Sequence, residues 1–185
     1  MTYSIDLTVP FGPLNDYSIL NHTGTEPEIF FAKSENVDQQ FVEWLRQQEL
    51  VMTYPPLIFY TPPGQQCGIH IDGYDISDRA CVNFIFGGAG SLMHWYKLRP
   101  DISTTEQVQT QAGTPYTLYT PQQVEHVFSH AVKWPSIVQT GIPHNITNHT
   151  HGPRWCISCD ISKKENPEAG LTWDESIEVF KKWIS

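Results

Sequence analysis

The chain has 185 residues, with 20 acidic against 11 basic side chains and a formal net charge of -9. That is the length of one ordinary domain, enough to bury a core without disulfides. The negative balance and the lack of any Lys/Arg run exclude a phosphate-tracking surface, because nucleic-acid affinity rests on neutralising backbone charge.

No apolar run approaches membrane-spanning length, and Met-Thr-Tyr-Ser-Ile-Asp at the start lacks the basic and apolar blocks of a signal peptide. The expectation is a cytoplasmic protein with no membrane and no nucleic-acid partner, whose four cysteines are thiols. Fourteen prolines and twelve glycines, with aromatic residues spread throughout, point to short strands joined by punctuated turns.

In chain order, residues 2–9 alternate as an edge strand, 10–27 read as loop, and 28–32 form a short strand. A helix follows, capped by Asn36 with Gln39 in the capping-box position; Phe41, Val42 and Leu45 form its apolar stripe, with Trp44 at the border. Residues 57–61 are a compact apolar run ended by Pro62-Pro63-Gly64, and Gly68-Ile69-His70-Ile71-Asp72-Gly73 reads as the next strand. Residues 79–86 alternate, with Ala80, Val82, Phe84 and Phe86 on one face and Arg79, Cys81, Asn83 and Ile85 on the other. Gly87-Gly88-Ala89-Gly90 reads as a turn, making residues 91–98 the hairpin partner of this strand. Residues 99–114 have no periodicity and read as a loop. Further strands are expected at 116–120, 124–132, 136–140 and 154–161. The last helix opens on the capping box Thr172-Trp173-Asp174-Glu175 and carries Trp173, Ile177, Phe180 and Ile184 along one face. The spacing predicts a mainly β sandwich or jelly roll of about eight strands.

Chemistry concentrates at His70 and Asp72. Two positions apart on a strand, they point to the same face, and an imidazole plus a carboxylate is two thirds of the 2-His-1-carboxylate set that holds non-haem Fe(II). The third ligand is sought among His94, His126, His130, His144, His149 and His151. His94 follows too soon, and His126 sits in a strand of uncertain facing. His144, in Thr140-Gly141-Ile142-Pro143-His144-Asn145, starts a strand just after a turn, where a rigid backbone aims it inward. A metal that binds a dicarboxylate cosubstrate also needs a fixed cation for the far carboxylate, a task that suits the planar fork of arginine. Arg154 stands ten residues beyond His144, whereas Ser136 and Thr140 stand at that distance from His126 and His130. Trp155-Cys156-Ile157-Ser158-Cys159 is superficially a thioredoxin motif, but in an alternating strand its two sulfurs face opposite sides. The same splitting weakens a zinc site of His149, His151, Cys156 and Cys159.

With these residues in place, the chain resembles the 2-oxoglutarate and Fe(II)-dependent oxygenases. That superfamily carries H-x-D on an early strand, a distal His on a late one and a basic residue about ten positions further on, matched here by His70, Asp72, His144 and Arg154. Tyr60-Thr61-Pro62-Pro63-Gly64, six steps before His70, is similar to the prolyl-hydroxylase pattern of Tyr and Pro-Gly ahead of H-x-D, with one more residue between Tyr60 and Gly64. Relatives often have Arg-x-Ser on the last strand, whereas Ser158 follows Arg154 by four, an even spacing that keeps both on one face.

The resemblance implies a single domain over residues 1–185, with a double-stranded β-helix core of the jelly-roll or cupin-like kind at about 55–161 and flanking helices near the N-terminal third and at the C-terminus. It further implies hydroxylation of an unidentified protein side chain, amino acid or small molecule by Fe(II), 2-oxoglutarate and dioxygen, with release of succinate and carbon dioxide. His70, Asp72 and His144 would hold the metal. Arg154 would pair with the distal carboxylate, and Tyr60, Ser158 and Asn83 would add cosubstrate contacts. Arg79 and Trp95 are weighed as substrate contacts against ordinary structural roles. Two other functions compete: a β-sandwich binding module in which His70 and Asp72 merely hydrogen-bond, and a cupin-like metal enzyme that does not use 2-oxoglutarate.

Overall fold

A computed structural model describes residues 2–100, 105–133 and 135–185. In chain order the strands are β1 (Ser4–Asp6), β2 (Glu28–Phe31), β3 (Leu50–Met52), β4 (Leu57–Thr61), β5 (Ile69–Asp72), β6 (Ala80–Gly87) and β7 (Leu92–Leu98). They continue as β8 (Glu106–Gln109), β9 (Pro115–Tyr119), β10 (Val124–His130), β11 (Ser136–Gln139), β12 (His144–Thr147), β13 (Arg154–Cys159) and β14 (Ile161–Lys163). The helices are α1 (Gln39–Gln47) and α2 (Trp173–Phe180).

Two six-stranded antiparallel sheets face one another, in the orders β1-β11-β6-β13-β4-β2 and β10-β7-β12-β5-β9-β8. The strands β4, β6, β11 and β13 belong to the first sheet and β5, β7, β10 and β12 to the second, so the chain winds repeatedly from sheet to sheet as a jelly roll. The mainly β jelly roll read from the strand spacing is therefore present. The pairing of residues 79–98 differs: β6 and β7 belong to different sheets and are not a hairpin. The glycine run between them carries the chain across the sandwich. Gly87 has φ +65, and a Cβ there would stand 2.3 Å from the Pro153 carbonyl oxygen. A backbone approach that close requires glycine.

Strand alternation splits the apolar residues into two layers. The outer face of the first sheet packs Phe84, Trp155, Ile157 and Cys159 against Phe41, Trp44 and Leu45 of α1 and Phe180 of α2. Ile85, Met93, Trp95, Val138 and Cys156 fill the space between the sheets. Cys156 and Cys159 thus lie on opposite faces of β13, as the thioredoxin-like motif would not allow.

Both helices owe their starts to side-chain caps, but the first cap is not the residue expected. Asp38 rather than Asn36 caps α1, its Oδ1 accepting from the backbone N–H of Gln40 at 2.6 Å and Phe41 at 3.1 Å. Asn36 instead ends a short 3-10 turn. The Thr172–Glu175 capping box of α2 forms as the sequence indicates. The segment read as a loop at 99–114 contains β8, which pairs with β9, and residues 101–104 of it lie outside the described residues. Among the described residues no helix is long and apolar enough to cross a membrane.

Candidate metal centre and cleft

The two sheets do not close completely at the end where β5 and β9 face β2 and β4. A cleft of about 620 Å³ opens there, with His70, Asp72 and Cys67 on one wall.

His70 and Asp72 point into the sandwich from β5, while the alternate residues Ile69 and Ile71 pack on the outer face of that sheet. Strand β12 lies beside β5 in a register that sets His144 directly opposite His70. Ligand atoms of His70, Asp72 and His144 all lie within 4.8 Å of one another, the only such grouping of His, Cys, Asp and Glu among the described residues. His70 Nδ1 is 2.8 Å from the Gly68 carbonyl oxygen and His144 Nδ1 is 2.9 Å from that of Ile142. A carbonyl only accepts, so each Nδ1 carries the proton and each Nε2 keeps its lone pair. Burial, and next the nearby His70, push the His144 imidazole down to about 4. His144 is thus neutral at ordinary pH, the form that ligates. Two imidazole nitrogens and one carboxylate converging on a point are the donor set of a facial 2-His-1-carboxylate site, which fits Fe(II) with open positions.

Arg154 opens β13 and shares its inward face with Cys156 and Ser158. The side chain is buried, with 3 % of its surface exposed. Among the described residues no carboxylate pairs with it. The ionisable groups felt by its guanidinium are the thiols of Cys156 and Cys67, and burial lowers its pKa. Gly88 lies over it at φ +55, where a Cβ would come within 2.7 Å of the Arg154 Cβ.

Ser158 lines the cleft. Asn83, opposite Ser158 across the β6–β13 ladder, also faces between the sheets, and its Oδ1 is buried without a hydrogen-bond partner. Arg154, Asn83 and His144 are themselves not part of the cleft wall, although Cys67 beside Arg154 is.

Tyr60 does not join this group. It faces the outer layer, where its hydroxyl donates to the Gly24 carbonyl at 2.8 Å and its ring packs 4.5 Å from that of Trp155. The extra residue between Tyr60 and Gly64 has a simple consequence, since a one-residue slip in a strand turns a side chain to the other face. Phe59 occupies the inward position instead.

Arg79 lines the cleft in an ion pair with Asp160, whereas Trp95 is fully buried and donates to the Gln139 carbonyl. His94 and His126 share Ser129 as a hydrogen-bond partner away from the triad. The apolar cleft wall was not singled out from the sequence, although the alternation of Ile29 with Phe31 and of Tyr116 with Leu118 carries that signal.

No family model matches the chain, and no curated protein matches it. Among solved structures, an oxalate decarboxylase is similar at 13% identity and a TM-score of 0.35, over 85% of this chain and 32% of that one. The chain therefore spans about a third of that protein's length. Peruvianin-I, described as a cysteine peptidase from Thevetia peruviana latex, is similar at 10% identity and a TM-score of 0.37, over 93% of this chain and 96% of that one. What stands on the chain's own geometry is a jelly roll with a candidate His-Asp-His metal centre at the edge of an apolar cleft.

Proposed function

We propose that the protein is an Fe(II)- and 2-oxoglutarate-dependent dioxygenase that hydroxylates a substrate, releasing succinate and carbon dioxide. The observation that carries the reading is Arg154, a buried guanidinium without a carboxylate partner among the described residues, on the inward face of the sandwich that also holds the triad. Burying a cation without a partner costs several kcal/mol, and a dicarboxylate arriving beside it would offset that cost.

His70, Asp72 and His144 would hold the metal. With 2-oxoglutarate and dioxygen, Fe(II) there supplies oxidative decarboxylation coupled to insertion of one oxygen atom into a C–H bond. The remaining work belongs to the chain. The carbonyls of Gly68 and Ile142 fix the imidazole tautomers and keep both Nε2 atoms aimed at one point. Arg154 would pair with the distal carboxylate of the cosubstrate through its planar fork. Ser158 and Asn83, neighbours across the β6–β13 ladder, are placed to add hydrogen bonds. Leu57, Phe59 and Leu118 exclude water from the cleft beside His70 and Asp72.

A second reading, a metal enzyme of the same fold that does without 2-oxoglutarate, is favoured by the absence of Arg154 from the cleft wall. Anaerobic titration of the metal-free protein with Fe(II) and then 2-oxoglutarate separates the two. The oxygenase gives a weak visible charge-transfer band only with both additions; Arg154→Met weakens the 2-oxoglutarate step and spares Fe(II) binding, and His144→Ala loses both. Fe(II) binding without a band overturns the oxygenase in favour of the second reading. No metal binding overturns both and leaves a binding module.

A further inference from the structure

We propose that the cleft takes a neutral, largely apolar small molecule, and that this is the class of the primary substrate. Its role as substrate rests on the oxygenase reading; its binding does not.

The first observation is the charge balance of the walls. Arg79, Asp72 and Asp160 are the charged residues among those lining the cleft. Arg79 Nη2 donates to Asp160 Oδ2, so these two charges offset one another, although Arg79 Nε and Asp160 Oδ1 keep no hydrogen-bond partner among the described residues, and Asp72 belongs to the metal centre. Among the residues lining the cleft no unpaired cation is left over to receive a phosphate, sulfonate or carboxylate on the guest; Arg154, beside Cys67, stands outside the wall and is assigned to the cosubstrate. An anion entering this cleft would lose its hydration without gaining a partner.

The second observation is what the walls offer instead. Ile29 and Phe31 of β2 and Leu57 and Phe59 of β4 line the cleft from the first sheet, and Tyr116 and Leu118 of β9 line it from the second. Aromatic and branched side chains on two facing sheets suit a flat or compact apolar body, bound by burial and dispersion. The volume of about 620 Å³ falls within the range of roughly 300–1,000 Å³ typical of pockets that hold small organic molecules.

The third observation is the roof. The tip joining β8 to β9 lines the cleft with Thr110, Ala112, Gly113, Thr114 and Pro115. It reaches the opposite sheet, where Gln111 Oε1 accepts from the backbone N–H of Ile29 at 2.9 Å. That bond ties the edge of the second sheet to the edge of the first. An open groove would suit a polymer running through; a cleft bridged across its rim at this point suits a free molecule.

The test uses two fluorophores that differ by one sulfonate, N-phenyl-1-naphthylamine and 8-anilinonaphthalene-1-sulfonate, with the metal-free 185-residue chain. The neutral probe is expected to bind with blue-shifted, enhanced emission, at least about tenfold more tightly than the anion. Leu118 is only half-buried, so a charge is tolerated there. Leu118→Asp is expected to weaken the neutral probe by about tenfold or more. Leu118→Lys is expected to reverse the preference in favour of the sulfonate, a change of sign that partial unfolding does not produce; near-ultraviolet circular dichroism confirms the fold of each variant. No binding of the neutral probe, equal or tighter binding of the sulfonate by the unmodified protein, or indifference to both Leu118 variants overturns the proposal. The two readings fail separately. Loss of probe binding with an intact Fe(II)/2-oxoglutarate band removes the substrate class alone, and probe binding without the band removes the oxygenase alone.

Discussion

His144 stands directly across the strand pair from His70, with ring centroids 4.4 Å apart, and each ring meets the carbonyl of the residue two positions before it. The two imidazoles are thus oriented by the same local device on neighbouring strands. The register of β5 against β12, and no long-range polar network, brings their Nε2 atoms together with Asp72. Because the site is assembled by strand pairing, metal binding stabilises the native state alone. At a hundredfold excess over Kd a divalent ion is expected to add about 2.7 kcal/mol. Chelation should lower the melting temperature accordingly. Alanine at His70, Asp72 or His144 is expected to cost about a hundredfold or more in affinity, exceeding the effect of losing an outer-shell partner. Titration with Co(II), followed in the visible, measures both, and an unchanged affinity in all three variants would remove the site.

Gly88 gives a second prediction, since it couples backbone conformation to Arg154. A side chain there meets a left-handed φ of +55 and a contact of 2.7 Å to the Arg154 Cβ. Gly90, at φ +97, has nothing within 4 Å of where a Cβ would lie. Gly88→Ala is expected to cost about 1–3 kcal/mol and to weaken 2-oxoglutarate binding by displacing Arg154. Gly90→Ala carries the backbone penalty of its positive φ, also about 1–3 kcal/mol, but should leave 2-oxoglutarate binding unchanged. Urea unfolding checks the two stability losses, the 2-oxoglutarate titration of the two variants side by side reads the difference, and equal binding would show that the approach to Arg154 is not tight.

The Arg79–Asp160 pair predicts a pH dependence with a definite sign. Burial raises the Asp160 pKa even with Arg79 present to lower it. A carboxyl whose folded pKa is above its unfolded value binds its proton more tightly in the native state, so stability is lost as pH rises through the folded pKa. Arg79→Met removes the opposing charge and pushes the Asp160 pKa higher still. The variant should therefore be less stable than the unmodified protein at pH 7.5, by about 1–3 kcal/mol as befits a half-buried pair. The deficit should shrink toward pH 4.5 as the carboxyl takes up a proton. The double variant Arg79→Met/Asp160→Asn should lose the pH dependence. Urea midpoints across this range test it, and a deficit that grows on acidification would contradict the assignment.

Much of this was legible because alternation in strands is a strong signal. The faces of β6 followed from Ala80, Val82, Phe84 and Phe86, and the partnership of His70 with Asp72 from their spacing of two. Pairing was less legible. Gly87-Gly88-Ala89-Gly90 looks like a hairpin turn, and only the membership of β6 and β7 in different sheets shows that it crosses the sandwich. Tyr60 was misplaced for the same reason that strands are sensitive to register: one residue more or less exchanges Tyr60 for Phe59 at the cleft. Strand β8 was hidden because Glu106–Gln109 is mostly exposed and polar, leaving no apolar face to betray it. The cleft itself is a long-range product of β2, β4 and β9, whose separate patterns are those of ordinary core strands.

The roof of the cleft supplies the last prediction. Its tip is internally pinned, with the Thr110 N–H donating to the Thr114 carbonyl at 2.9 Å and the two hydroxyls 2.7 Å apart, so it moves as a unit. Its tie to the opposite sheet is the exposed Gln111–Ile29 bond. An exposed hydrogen bond to backbone contributes about 0.5–1.5 kcal/mol, a barrier small enough for the tip to open and admit a guest. Gln111→Ala removes the tie without touching either apolar wall. Thermal stability should fall only slightly. The association and dissociation rates of N-phenyl-1-naphthylamine should both rise several-fold while its equilibrium affinity changes less, because the free and the occupied cleft lose the same bond. Stopped-flow fluorescence separates these quantities. Unchanged rates would mean that the guest enters elsewhere along the rim, and a collapse of affinity with unchanged association would mean that Gln111 contacts the guest itself.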